Sequence, residues 1–226
     1  MCGDAPDINI GAIVNRLRSA SVQRVDVFEK KLIQNAGAST VIRDLLAEGA
    51  AALMFAAAGF QVEMSDRPDL VLECFGQSIG AEVKHFRLKQ QDENDEVLLA
   101  GPGDYLVKYG DTIPLEGKTA WDQVIEVAVN KAVKLKRNDP NLLVILSSST
   151  NCIDDLVLMT AADVLNEEPA RRACPELSRL NGLLLLSPEF NLASQRDVHF
   201  FDLSLSNVAL LPEVRAAIEG IREWVV

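Results

Sequence analysis

The succession of apolar runs predicts an α/β protein, a mixed central β-sheet flanked by helices. Three observations carry that expectation. Residues 60–86 alternate apolar and polar side chains in three short bursts, the pattern of a strand meander. Leu142–Leu146 is a continuous apolar run between Pro140 and Ser147, as expected of a central strand buried on both faces. Segments with helical spacing stand before, between and after these strands.

Taken in order, Ile13, Val14, Leu17, Val25, Phe28 and Leu32 recur among Arg16, Arg18, Arg24, Lys30 and Lys31, which predicts a basic amphipathic helix or helix pair over 10–34. Ser39 or Thr40 is the expected cap of the next helix, rich in Leu and Ala, which stops at Gly59. Phe60–Met64, Asp69–Phe75 and Ile79–Phe86 are the three strands, with Gly76-Gln77-Ser78 as the turn between the last two. The segment 90–119 is rich in Gly, Pro and acids, and its length and irregularity suggest a flap or interaction loop. A helix over 120–137 and the strand at Leu142 follow. A helix over 154–166, strands at Leu183–Leu186 and Val198–Leu203, and a helix from Pro212 to Trp224 complete the layout.

The 226 residues, 48% apolar and 24% charged, suit one compact domain and exclude wholesale disorder or a fibrous repeat. The longest uncharged stretches, Gly49–Val62 and Pro140–Ile153, are far shorter than the roughly 20 residues of a membrane-spanning helix. The beginning, Met1-Cys2-Gly3-Asp4, lacks the basic start of a signal peptide, so a cytoplasmic location is expected. Cys2, Cys74, Cys152 and Cys174 form no C-x-x-C pair and read as reduced thiols. With only His85 and His199 and many carboxylates, a zinc or copper site is disfavoured and a hard cation such as Mg²⁺ remains open. The net charge of −11 repels nucleic acid at long range, but the acidity is concentrated in 138–226, leaving 1–137 nearer to balance.

That first part holds the one constellation with chemistry in it. Pro68-Asp69 is followed, after twelve intervening residues, by Glu82-Val83-Lys84. Strand alternation puts Glu82 and Lys84 on one face, and a hairpin near Gly76 lays Asp69 opposite them. Asp69 and Glu82, with the carbonyl of Val83, can hold a divalent cation, while Lys84 can orient an attacking water and offset charge building on a phosphate. Nothing comparable surrounds the other candidates. His85 points away from this face, His199 lies far from any nucleophile signature, and Ser147-Ser148-Ser149-Thr150 lacks the glycines and lysine of a phosphate loop. Lys84, Arg87, Lys89, Lys134, Lys136 and Arg137 are candidates for contacts to a phosphate backbone. Aromatic content of 5% disfavours a dedicated single-strand RNA binder.

The arrangement Pro-Asp, twelve residues, Glu-x-Lys on a hairpin resembles the PD-(D/E)xK nuclease superfamily, whose fold is the restriction-endonuclease-like core. A helix, three strands, a helix and a strand reproduce that family's order over about half of the chain. The resemblance divides a single domain into an N-terminal helical extension (1–38), a nuclease-like core (39–147) and a C-terminal extension of sheet and helix (148–226). It implies that Glu48 on the first core helix is a further metal ligand. It also implies that a residue of the helix after the meander completes the site, and Lys131, on the apolar stripe with Val124, Ala128 and Leu135, is favoured over Gln123 and Asn130. The implied activity is hydrolysis of phosphodiesters with Mg²⁺ or Mn²⁺, DNA favoured over RNA, with Glu48, Asp69, Glu82, Lys84 and Lys131 catalytic and Glu48, Asp69, Glu82 and Val83 holding the metal. A partner protein or homodimer is a further expectation. The competing expectations are a non-catalytic relative serving as an interaction or assembly module, and a Mg²⁺-dependent hydrolase of small molecules.

Overall fold

The computed structural model of the chain describes residues 10–86, 119–136, 138–147, 153–186, 198–203, 206 and 208–221. Its elements are α1 (Ile10–Ser19), α2 (Val25–Gln34), α3 (Ser39–Ala57), β1 (Gln61–Met64), β2 (Leu70–Cys74), β3 (Gln77–Phe86), α4 (Ala120–Ala132) and β4 (Asn141–Ser147). They continue with α5 (Asp155–Asn166), α6 (Glu168–Ala173), a 3₁₀ turn (Pro175–Arg179), β5 (Gly182–Leu186), β6 (Val198–Asp202) and α7 (Pro212–Glu219). The strands form one six-stranded sheet in sequential order. β1, β2 and β3 are an antiparallel meander, β4 and β5 run parallel to β3, and β6 is antiparallel to β5. This is the mixed α/β sheet with helices on both faces that the sequence predicts.

Strand alternation divides the core in two. On one face Ile79, Ala81, Val83, Leu142, Val144 and Leu184 pack beneath α1, α2, α3 and α7. On the other, Phe86, Leu143, Ile145, Leu183 and Leu185 pack beneath α4, α5 and the 3₁₀ turn. β4 and β5 are therefore apolar at nearly every position, because water reaches neither face. The second helical layer stops short of β1 and β2, where Val71 and Glu73 on that face are not fully covered.

Local details correct several expectations. The β2–β3 turn is Phe75-Gly76, both with positive φ, a two-residue turn suited to the twist of a hairpin, so β3 starts at Gln77 rather than after Ser78. α3 starts at Ser39, so the N-cap position falls on Ala38, one residue before the expected cap, and no side chain closes that end. The basic stretch over 10–34 is a pair of helices whose cations are largely paired with acids: Arg18 with Glu29 (2.6 Å), Arg24 with Glu63 (3.0 Å) and Lys31 with Asp66 (2.8 Å). α4 ends at Ala132, earlier than the sequence suggests, and Arg179 donates from Nη1 to the terminal carbonyls of Ala132, Val133 and Leu135 at 3.0–3.3 Å. α6 and the 3₁₀ turn have no counterpart among the elements expected from sequence. The flap expected over 90–119 lies outside the described residues apart from Thr119, as do Arg87, Lys89, Arg137 and Trp224. Among the described residues no helix is long and apolar enough to cross a membrane.

Candidate functional site

The β2–β3 register decides where the carboxylates meet. Leu70 pairs with Ala81, which puts Asp69, one residue before β2, opposite Glu82. Asp69 Oδ2 accepts the N–H of Val83 at 2.8 Å, so the side chain itself closes the ladder where the strand ends. The approach is tight at Gly80: a Cβ there would collide with Asn141 Oδ1 and lie 3.1 Å from Pro68 Cγ, so Gly80 lets Pro68 press against β3 immediately beside Asp69.

Glu82 is 3% exposed, the one acid of β3 sunk among apolar side chains. Its partner comes from α4. That helix is started by Thr119 and Asp122, which form a reciprocal capping box, the Thr119 N–H donating to Asp122 Oδ2 at 3.0 Å and the Asp122 N–H to Thr119 Oγ1 at 3.1 Å. With Val124, Ala128 and Ala132 buried, the same stripe carries Lys131 over the sheet. Lys131 Nζ makes a short hydrogen bond to Glu82 Oε2 and lies 3.5 Å from Asp69 Oδ2, bridging both carboxylates. Gln123 and Asn130, the alternatives on that helix, are exposed.

Glu48 arrives from α3 on the opposite face. Its buried Oε2 has no hydrogen-bond partner among the described residues. Burial raises its pKa to about 8, the negative charge of Asp69 adds to the rise, and Lys31 and Lys131 oppose it, so Glu48 and the Asp69–Glu82 pair share one electrostatic field. Burial also lifts Glu82 above the ordinary carboxylate range, again reinforced by Asp69 and opposed by Lys131. For Lys131 burial works against the ammonium, but Asp69 and Glu82 outweigh it and hold its pKa above the usual value. The group is thus an acid-rich cluster whose negative charge is opposed by the bridging Lys131 and, at longer range, by Lys31 and Lys134.

The structure brings together Asp69, Glu82 and Lys131, with Glu48 in their field. Lys84 shares the Glu82 face and is half-buried, but makes no ion pair or hydrogen bond among the described residues. A simple Glu82–Lys84 salt bridge is therefore not what this strand provides; the salt bridge goes to Lys131. The side chain of Val83 packs in the opposite core while its N–H serves Asp69. His85 turns toward α3, on the side of the sheet opposite Glu82, with Nδ1 3.8 Å from Asp44 Oδ1, and His199 stacks on Phe201. Among the described residues no three His, Cys, Asp or Glu side chains stand ready-grouped around a common cation position. The donor chemistry is nevertheless that of a hard cation: carboxylate oxygens only, one of them buried and unpartnered.

Two further cations act on this cluster without any sequence signal to mark them. Lys31 acts on Glu48 and Lys134 on Glu82. Lys31 adjoins Lys30, and Lys134 is followed by Lys136, so only tertiary packing selects which member faces the acids. No family model, curated protein or solved structure matches this chain.

Proposed function

We propose that the protein is a metal-dependent nuclease of the PD-(D/E)xK type, with a restriction-endonuclease-like core, hydrolysing phosphodiesters with DNA favoured over RNA. The observation that carries this reading is the convergence of Asp69 and Glu82 with Glu48 in one field, under a lysine from the helix that follows the meander. Such a cluster opposes folding. Each buried charge loses hydration, and a purely structural role would be served as well by apolar side chains.

Glu48, Asp69, Glu82 and the Val83 carbonyl would hold Mg²⁺ or Mn²⁺, which when bound supplies a polarising charge and a water of lowered pKa. The Lys131 ammonium stands between Asp69 and Glu82 and would be the cation that faces an anionic substrate if those carboxylates held a metal. Lys84, which pairs with no carboxylate among the described residues, is suited to hold a proton or a negative oxygen at the scissile phosphate. Asp69 accepts the Val83 N–H through Oδ2, so Oδ1 is the oxygen it would offer a cation.

The same Lys131 bridge favours a second reading. A closed lysine–dicarboxylate cluster is also what a non-catalytic interaction module retaining old acids would keep. The two part in one experiment: purified protein with plasmid, single-stranded DNA and RNA, with Mg²⁺, with Mn²⁺ and with chelator. The nuclease reading expects cation-dependent cleavage that Asp69→Asn and Glu82→Gln abolish while both variants remain folded. Absence of cleavage with either cation, or wild-type cleavage by either variant, overturns it.

A further inference from the structure

The turn that carries Asp69 is held from outside the sheet. Lys31, near the end of α2, donates from Nζ to the carbonyl oxygen of Ser65 at 3.2 Å and pairs with Asp66 Oδ1 at 2.8 Å. The Ser65 N–H donates to the carbonyl oxygen of Asp69 at 2.9 Å, closing the β1–β2 turn. Asp69 Oδ2 in turn accepts the Val83 N–H. Three consecutive contacts therefore run from α2 through Ser65 and Asp69 to β3.

The approach of α2 is fixed independently. Gln23, just ahead of it, forms a parallel bridge with Glu63 on the β1 edge; its N–H donates to the Val62 carbonyl at 2.8 Å and its carbonyl accepts the Met64 N–H at 3.0 Å. Arg24 pairs with Glu63 beside it. With that anchor, Lys31 is 29% exposed and aimed at the turn, whereas its neighbour Lys30 is 74% exposed and, among the described residues, pairs only with Asp26 at 4.0 Å. A charged donor on a turn carbonyl is stronger than a neutral one, and it restrains the backbone from which the Asp69 side chain departs.

We propose that Lys31 is a positioning residue of the Asp69 site, setting the orientation of the Asp69 carboxylate through Ser65, so that the N-terminal helix pair is a working part of the site. The inference rests on Asp69 being a functional group of the proposed nuclease, but its test needs no turnover.

The test is amide hydrogen exchange followed residue by residue by NMR in the full chain, for wild type, Lys31→Met, Lys31→Arg and Lys30→Met. Lys31→Met should speed exchange at Ser65 and Val83 by about tenfold, the effect of weakening one hydrogen-bonded restraint, while Val144 and Leu184 in the core keep their protection. Lys31→Arg should restore it, and Lys30→Met should leave it unchanged. Where cleavage is measurable, Lys31→Met should lower kcat with little change in KM. Unaltered exchange at Val83 in Lys31→Met, an equal loss at Val144 and Leu184, or the same effect from Lys30→Met overturns the proposal. If Lys31→Met does not fold, Lys31→Gln carries the same comparison. Absence of cleavage in every variant would sink the nuclease reading and leave the exchange result to decide this one.

Discussion

Among the described residues Lys131 is bound to two carboxylates and Lys84 to none, and the difference separates what their substitution should do. Lys84→Ala removes no ligand and no ion pair, so Mn²⁺ binding by calorimetry should survive while single-turnover cleavage falls by roughly a hundredfold or more, the usual consequence of losing a positioned general base or transition-state cation. Lys84→Arg should recover only part of that, since the guanidinium is broader and does not release its proton. Loss of metal binding in Lys84→Ala would mean that the lysine only supports the acids. Glu48 makes a different prediction, about stability. Its pKa is about 8 in the folded protein against 4.5 for an ordinary glutamate, so between those values the folded state keeps a proton that the unfolded chain has released. Stability of the metal-free protein should therefore fall as pH rises through that window, by up to about 1.4 kcal/mol per pH unit, and level off above it. Glu48→Gln should flatten the decline. Urea denaturation across the window checks the sign, and an equally steep decline in Glu48→Gln would assign it to other groups.

At the scale of elements, the site depends on α4 lying where Lys131 can span Asp69 and Glu82. The start of α4 is secured by the Thr119–Asp122 box and its end by Arg179, whose Nη1 reaches three terminal carbonyls from the 3₁₀ turn. Arg179→Ala leaves those carbonyls unsatisfied and should cost about 1–3 kcal/mol in chemical denaturation, within the range for lost charge-assisted hydrogen bonds. Its effect on activity should be smaller than that of Lys84→Ala, because the guanidinium acts on the helix end and touches none of the carboxylates. A neutral result in denaturation would mean that water replaces the guanidinium at no loss. This contact is not legible in the sequence: Arg179 is far from α4 along the chain, and nothing in its neighbourhood distinguishes it from Arg172, which pairs with Glu168 within its own helix. Asn141 is similar, donating from Nδ2 to the carbonyls of Lys136, Asp139 and Arg179 to close the beginning of β4.

For the whole molecule, the proposed nuclease function would require a chain with a net charge of −11 to meet a polyanion. Several cations of the helix pair are already committed to acids, so the basic character of that stretch is not a free cationic surface. Around the site, Lys84 and Lys134 have no ion pair among the described residues. If these two meet the phosphates, the salt dependence of DNA binding should be shallow, with a slope of about −2 in log–log form, and affinity should rise when a divalent cation offsets the carboxylates. Fluorescence anisotropy over a salt series, with and without Ca²⁺, tests this. A slope steeper than about −5 would instead assign binding to a broad basic surface elsewhere on the chain.

Much of this architecture is written locally. Strand alternation over 60–86, the apolar run at Leu142 and the helical periodicities determine the α/β class, because side-chain period and burial are properties of neighbouring residues. The pairing of Asp69 with Glu82 is nearly local too, since a two-residue hairpin at Phe75-Gly76 leaves one register open to them. The sequence by itself also determined that Glu82 and Lys84 share a face. Only the tertiary structure decided that Lys131 rather than Lys84 neutralises Glu82, that Glu48 is left with a buried, unpartnered oxygen, and that Lys31 reaches the turn before Asp69. Those three facts depend on how α2, α3 and α4 lie against the sheet. Interhelical distance and burial fix charge partners and pKa values, and neither is a property of any one segment.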